Sequence, residues 1–229
     1  MSGRAIRIVS LVPSVTESLL AWGVVPIAVT RFCEQPMLRA VGGTKDPDIA
    51  AIVGLHPDLV VMNDEENRSE DAAQLEAEGI ALHVTRVRTL ADVEPCLEAL
   101  ADAVGVRYHA DPLVAGAVPT RARAFVPIWR RPWMTMNADT YGSSVLDAIG
   151  IANVFADAPD RYPTTTLPDA RDLVPDLVVA PSEPYPFGAR HVRELEAVAA
   201  DVRLVDGQDL FWWGTRSAGA VERLREVLG

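Results

Sequence analysis

The chain has 229 residues, 49% of them hydrophobic and 23% charged, enough for one large domain or two small lobes around a buried core. No apolar run approaches the roughly 20 residues that cross a bilayer, so no membrane-spanning segment is expected. Acids outnumber bases 32 to 21, and the net charge of −11 opposes phosphate backbones, which excludes general nucleic-acid binding.

Two cysteines, Cys33 and Cys96, form neither a CxxC pair nor a zinc spacing. Two unremarkable thiols are expected, with a single bridge between them as the alternative. The stretch Ile6–Leu11 is too short for a signal-peptide core, and no small-residue cleavage site follows. As it stands the chain predicts a cytoplasmic location, or an extracytoplasmic one if its start is not the native one.

Ile6 to Val12 is β-branched and apolar and predicts the first strand. Pro13 ends it, and Ser14-Val15-Thr16-Glu17 has the form of a capping box with Ser14 as N-cap. The helix that follows stops at Gly23, and a second short strand is expected over 26–30. Gly42-Gly43-Thr44-Lys45 lacks the spacing and the strand–helix setting of a phosphate loop. Asp48 caps a predicted helix at 49–54. Pro57-Asp58 then leads into a strand at Leu59-Val60-Val61-Met62. A polar loop from Asn63 to Arg68, a helix over 69–78 ending at Gly79, and a strand over 80–84 complete a first α/β lobe with a parallel sheet.

The second half repeats this logic. Pro57-Asp58-Leu59-Val60-Val61 reappears as Pro175-Asp176-Leu177-Val178-Val179, before another polar loop, a helix around 192–199 and a strand over 202–205. Trp133 to Asn137 reads as a strand that echoes the first one, and a helix over 143–149 ends at Gly150. Leu97, Leu100, Ala101 and Val104 give helical spacing between the halves, whereas Gly105, Pro112, Gly116 and Pro119 argue against one unbroken helix. A last helix is expected over 217–228. The predicted class is α/β, with two Rossmann-like lobes over 1–89 and 126–229, a helical connection over 90–125, and a ligand cleft between the lobes.

Ligands of parallel sheets sit beyond the carboxyl ends of the strands. The loops expected there carry Phe32, Tyr141, Tyr185, Phe187, Phe211, Trp212 and Trp213, broad faces that suit a large semi-rigid ligand. Three consecutive aromatics in extended chain cannot all face one core, so Trp212 or Trp213 is expected to meet ligand or solvent. Trp133 reads as core. Asp64-Glu65-Glu66 reads as a solvated loop, with cation contact or docking on a basic partner as the alternative. The four histidines show no metal-ligand spacing, and no residue stands out as a nucleophile or general base.

With these residues in order, the chain resembles the periplasmic binding proteins for cobalamin and iron siderophores. The resemblance rests on Arg7 to Glu17, on the Pro57-to-Val61 strand, on 75–84, and on the Asp209-Leu210-Phe211 region, and it covers nearly the whole chain. It implies the helical-backbone (class III) receptor fold, a metal-chelate ligand and hand-over to an ABC permease. It also implies that carboxylates dock onto the permease: Glu70 on the first lobe, with Glu66 as an alternative, and Glu183 on the second. The pattern is nearest the cobalamin receptors, by Phe32 after the second strand and by Asp209 to Trp213.

The leading expectation is therefore a non-catalytic binding protein for cobalamin or another corrinoid, with no resident cofactor and no metal bound by the protein itself. Phe32, Tyr141, Trp212 and Trp213 would supply apolar faces, and Asp64 and Asp209 would accept hydrogen bonds from amide side arms. A ferric siderophore or haem is the alternative cargo. A metal-handling enzyme or a cytoplasmic sensor on the same fold is the alternative class.

Overall fold

The computed structural model describes residues 6–110 and 118–229. The elements run β1 (Ile8–Ser10), α1 (Pro13–Ala21), β2 (Ala28–Val29), α2 (Ile49–Gly54), β3 (Leu59–Asn63), α3 (Ser69–Ala77), β4 (Leu82–Thr85) and α4 (Leu90–Val104). They continue with β5 (Ala122–Phe125), β6 (Trp133–Met134), α5 (Tyr141–Ala148), β7 (Ile151–Asn153), β8 (Thr164–Thr165) and α6 (Leu167–Asp172). The last are β9 (Leu177–Pro181), α7 (Ala189–Leu195), β10 (Asp201–Val205), α8 (Gly207–Phe211) and α9 (Ser217–Leu228).

The chain divides into two compact units. The first takes in the described residues up to Val87, with Asp92–Ala110 and Trp213–Thr215. The second takes in Arg88–Ala91, the described residues from 118 to Trp212, and Arg216–Gly229. The first unit holds a parallel sheet in the order β2-β1-β3-β4, and the second a parallel sheet in the order β10-β9-β5-β7. Counted along the chain within each unit, both orders are second-first-third-fourth, so the two sheets share one topology. Their third strands, β3 and β9, are buried at every position, which is why both read as continuous apolar runs.

The sequence repeat is built the same way in both units. The Arg7 N–H donates to the Asp58 carboxylate at 2.8 Å, and the Arg123 N–H donates to that of Asp176 at 2.7 Å. The Arg7 side chain donates to the carbonyls of Leu55 and His56, and Arg123 to that of Val174. His56 and Val174, one residue before each Pro-Asp pair, both have positive φ, 48° and 54°. Each Asp thus ties the start of its own strand to the chain entering the first strand of its sheet.

Several expectations are corrected. The first helix begins at Pro13 with Val12 as N-cap and no side-chain cap, so Ser14 lies inside it; proline supplies the preset φ of a first helical residue. Asp48, by contrast, does cap α2 by accepting from the Ala51 N–H. The strand that answers to β1 in the second unit is β5, which the sequence reading had placed in the connection 90–125. Trp133 and Met134 instead form β6, antiparallel to β8 in a separate two-stranded sheet. Within that connection, α4 is one 15-residue helix, and its apolar residues Leu97, Leu100, Ala101 and Val104 are buried. Pro112 and Gly116 lie outside the described residues. Both cysteines are free thiols, Cys33 buried and Cys96 half-buried.

Candidate ligand-binding site

Each sheet has its own carboxyl edge, and the loops leaving it carry most of the chemistry-bearing side chains. In the first unit, Phe32 follows β2 and is 49% exposed. The Arg31 guanidinium lies 4.8 Å from its ring centre and pairs with Asp46 at 2.9 Å. Asp64 follows β3, and its carboxylate accepts from Arg86 at 2.7 Å. The acidic run is held by amides: Asn63 Oδ1 accepts from the N–H groups of Glu65 and Glu66, and Asn67 Oδ1 accepts from the Asn63 N–H. Glu66 is half-buried at this turn, and Glu70 is exposed in the first turn of α3. Trp213 also belongs to this unit and is buried.

In the second unit, Asp209 and Trp212 do not sit on an extended loop. Asp209 lies within α8, and Trp212 is its C-cap. The Asp206 side chain starts the helix by accepting from the Gln208 N–H. The Asp209 carboxylate, buried at 4% exposure, receives Arg216 at 3.1 Å and both Nε and Nη2 of Arg223, at 2.8 and 2.6 Å. Arg216 also donates to Gln208 Oε1, and its guanidinium carbon lies 5.6 Å from the Trp212 ring centre. The half-buried Trp212 donates its indole N–H to Glu183 at 3.0 Å, and Gln208 donates to the other Glu183 oxygen at 3.4 Å.

Three residues sit differently from the sequence-based expectation. Tyr141 was expected at a loop tip; it sits in the first turn of α5, 6% exposed, because the Thr140 cap turns the chain inward. Its hydroxyl donates to Ser217 Oγ at 2.9 Å, and burial pushes its pKa up to about 12. Trp213 was expected to face ligand as readily as Trp212, and is buried instead, in the segment Trp213–Thr215 that belongs to the first unit. Beside it Gly214 has φ 137° and lies against Ser18 Oγ, which accepts from the Thr215 N–H at 3.2 Å. Glu183 was expected to dock a partner; its carboxylate is occupied by Trp212 and Gln208. The sequence reading missed the arginine pair on Asp209 altogether. Arg216 and Arg223 lie seven and fourteen residues after Asp209, across the break between α8 and α9, so helical spacing did not signal them.

One titrating group underlies the loop that carries Glu183. His191, 4% exposed, is flanked by the rings of Tyr185 and Phe187, both 5.5 Å away. Its Nδ1 accepts from the Gly188 N–H at 3.1 Å, which requires that nitrogen to be unprotonated. Burial, then Arg190 and Arg130, hold its pKa below the ordinary 6.5, with Glu194 opposing. A histidine depressed in the folded state takes up its proton in the unfolded chain first. Its stabilising contribution is therefore complete above about pH 6.5 and is lost as pH falls from there toward the folded-state value. Urea melts from pH 8 to 5 are expected to show a loss of stability below pH 6.5 that is smaller in His191→Gln. Parallel curves for the two proteins would refute it.

No protein-family model matches the chain. The vitamin B12-binding protein of Vibrio cholerae is 25% identical over 195 residues, which span 75% of this chain and 69% of that one. The crystal structure of the periplasmic vitamin B12-binding protein of the same organism superposes with a TM-score of 0.77 at 24% identity, covering 97% of this chain and 96% of that one. The periplasmic heme-binding protein of Vibrio cholerae gives a TM-score of 0.79 at 21% identity, covering 98% and 99%. The fold is that of a periplasmic binding protein. The resemblance carried by Arg7 to Glu17 and by the Pro-Asp-Leu-Val-Val strand is borne out. The cytoplasmic location expected from the first residues is contradicted by these neighbours, which are periplasmic proteins. Among the described residues no helix is long and apolar enough to cross a membrane.

Proposed function

We propose that this chain is the substrate-binding protein of an ABC transporter and carries cobalamin or another corrinoid. The observation that carries this reading is its similarity to vitamin B12-binding proteins over 75% of its length. The second unit supports it with a half-buried indole, Trp212, held by a carboxylate and flanked by a guanidinium, a preorganised face for a bulky ligand. Phe32 offers a second exposed ring on the first unit. Asp64 on its loop would act from within its ion pair with Arg86, and Asp209 acts on the ligand through Arg216, since guanidinium groups already occupy its oxygens. Function here is differential contact without bond-making, so the protein is not an enzyme. The chelate brings its own metal, and no resident cofactor is required. For the permease, the docking carboxylates on the first unit are Glu70 and then Glu66, while Glu183 is committed to Trp212.

Haem is the second reading, supported by the equally close fold of a heme-binding protein; a ferric siderophore is the third. Tryptophan fluorescence titration with cyanocobalamin, haem and a ferric hydroxamate separates them. Saturable one-to-one quenching by cyanocobalamin, weakened about tenfold or more in Trp212→Ala, is the expected result. Saturation by haem alone moves the assignment to haem, and saturation by none of the three overturns the reading.

A further inference from the structure

The 182–187 loop, Ser182 to Phe187, is held at both ends and carries Glu183 between them. At its start Ser182 donates its N–H to the Val205 carbonyl at 3.0 Å and accepts at Oγ from the Gly207 N–H at 2.9 Å. One residue further, Glu183 receives the Trp212 indole N–H. Pro184 and Pro186 flank Tyr185, and each fixes one φ, so the stretch between the two ends has few torsions with which to absorb a displacement. At the far end one side chain holds the chain: the Gly188 N–H donates to His191 Nδ1 at 3.1 Å.

His191 holds that end only as a neutral ring. Its other nitrogen, Nε2, lies 3.2 Å from Arg190 Nε, so both ring nitrogens look at N–H groups. A neutral imidazole offers one of its nitrogens as an acceptor, whereas an imidazolium carries an N–H on both and accepts from neither. The charged groups around the ring are Arg190 and Glu194 on α7 and Arg130 on the turn after Trp129, and Tyr185 is the titratable group packed on it. Both arginines oppose a further cation, and the Glu194 carboxylate is already engaged by Arg130 at 2.9 and 3.3 Å. The rings of Tyr185 and Phe187 flank the imidazole and leave it 4% exposed, so water does not stand in for the missing acceptor.

We propose that His191 is a proton switch on ligand affinity: the neutral ring latches the 182–187 loop so that Glu183 presents Trp212, and a proton taken up at Nδ1 expels the Gly188 N–H, unlatches the loop and weakens binding. This rests on the binding-protein reading and adds to it the regulation of that site by pH. In the folded protein His191 titrates below 6.5, because burial and then Arg190 and Arg130 disfavour its charged form. Affinity is therefore level above about pH 6.5 and falls below the folded-state value, by at most about tenfold per pH unit for a single proton. The loss reflects the shrinking fraction of latched protein rather than any change in the contacts the ligand makes.

Cyanocobalamin has no group that titrates between pH 5 and 8, so titrating the purified full chain with it over that range reads the protein alone. Wild type is expected to hold its affinity from pH 8 to 6.5 and to lose about threefold or more by pH 5, with the fold checked by circular dichroism at each point. His191→Asn places an amide oxygen where Nδ1 stands and takes up no proton, so its profile is level whatever its absolute affinity. Glu183→Ala, which cuts the loop from the indole, weakens binding at every pH and is level too. The Trp212 indole N–H resonance of the ligand-free protein gives a readout that needs no ligand. It is expected to follow the titration of the His191 ring in wild type and to stay fixed in His191→Asn. A pH profile shared by wild type and His191→Asn overturns the switch and leaves the binding-protein reading standing. If wild type does not bind cyanocobalamin, the corrinoid reading falls and the indole resonance decides the latch by itself: coincident curves sustain it, and an indole that ignores the titration of His191 overturns it.

Discussion

Asp209→Ala is expected to cost about 3 kcal/mol of folding stability, among the largest single losses available outside the apolar core. The buried carboxylate gathers three guanidinium hydrogen bonds from Arg216 and Arg223. Removing it leaves the Arg216 charge, whose side chain is only 15% exposed, without its anion in a poorly hydrated setting. Arg223 is 52% exposed and finds water, so its share is discounted and the figure sits at the low end for a broken buried pair. The loss extends to function. Arg216 lies over Trp212, and freeing it unseats the indole that Glu183 orients. Asp209→Asn, which keeps the shape and part of the hydrogen bonding, is expected to lose less. Urea melts monitored by circular dichroism measure the difference. A loss under about 1 kcal/mol for Asp209→Ala would mean that the arginines are satisfied without the carboxylate.

The sequence reported the parts of the fold in which local pattern and tertiary environment agree. β3 and β9 lie inside parallel sheets, so both faces are apolar, and the repeated Pro-Asp before them marks the point where an aspartate ties two strands together. The last helix was legible over its whole length because Ala220, Val221, Leu224 and Leu228 form one buried stripe with charges between them. β5 was not legible. Ala-Arg-Ala-Phe has little β-propensity, and its place as the central first strand comes from pairing with β7 and β9, which is non-local information.

The candidate site was legible by residue type and not by role. Aromatic and acidic residues around 209–213 did mark a special segment. Their duties depend on partners far along the chain: Glu183 for Trp212, Arg223 for Asp209, Ser217 for Tyr141. The alternation argument for three consecutive aromatics assumed extended chain. Helix α8 ends at Phe211, and the chain then passes from the second unit at Trp212 to the first at Trp213. Neighbouring tryptophans thus belong to different units, one half-buried and one buried.

Gly207→Ala is the second change with a large expected effect, and it acts on the same hydrogen bond from the other side. Gly207 opens α8 and donates its N–H to Ser182 Oγ at 2.9 Å. A methyl group on Gly207 would lie 2.8 Å from the Glu183 Cα and 2.7 Å from its Cβ. The backbone cannot yield as a side-chain tip does, so α8 must move away from the 182–187 loop, at a cost of about 1–3 kcal/mol. The indole of Trp212 leaves with the helix that it caps, and the Glu183 bond lengthens beyond hydrogen-bonding range. Gly207→Ala is therefore expected to weaken ligand binding by as much as Glu183→Ala does, although residue 207 lies behind the helix start and contacts no ligand in this reading. Gly188→Ala, at the start of α7 with open space around its missing side chain, should change binding little and controls for the loss of a glycine at a helix start. Equal affinities for Gly207→Ala and wild type, with equal melting temperatures, would show that α8 and the loop can slide past one another, and Trp212 would then owe its orientation to Arg216 alone.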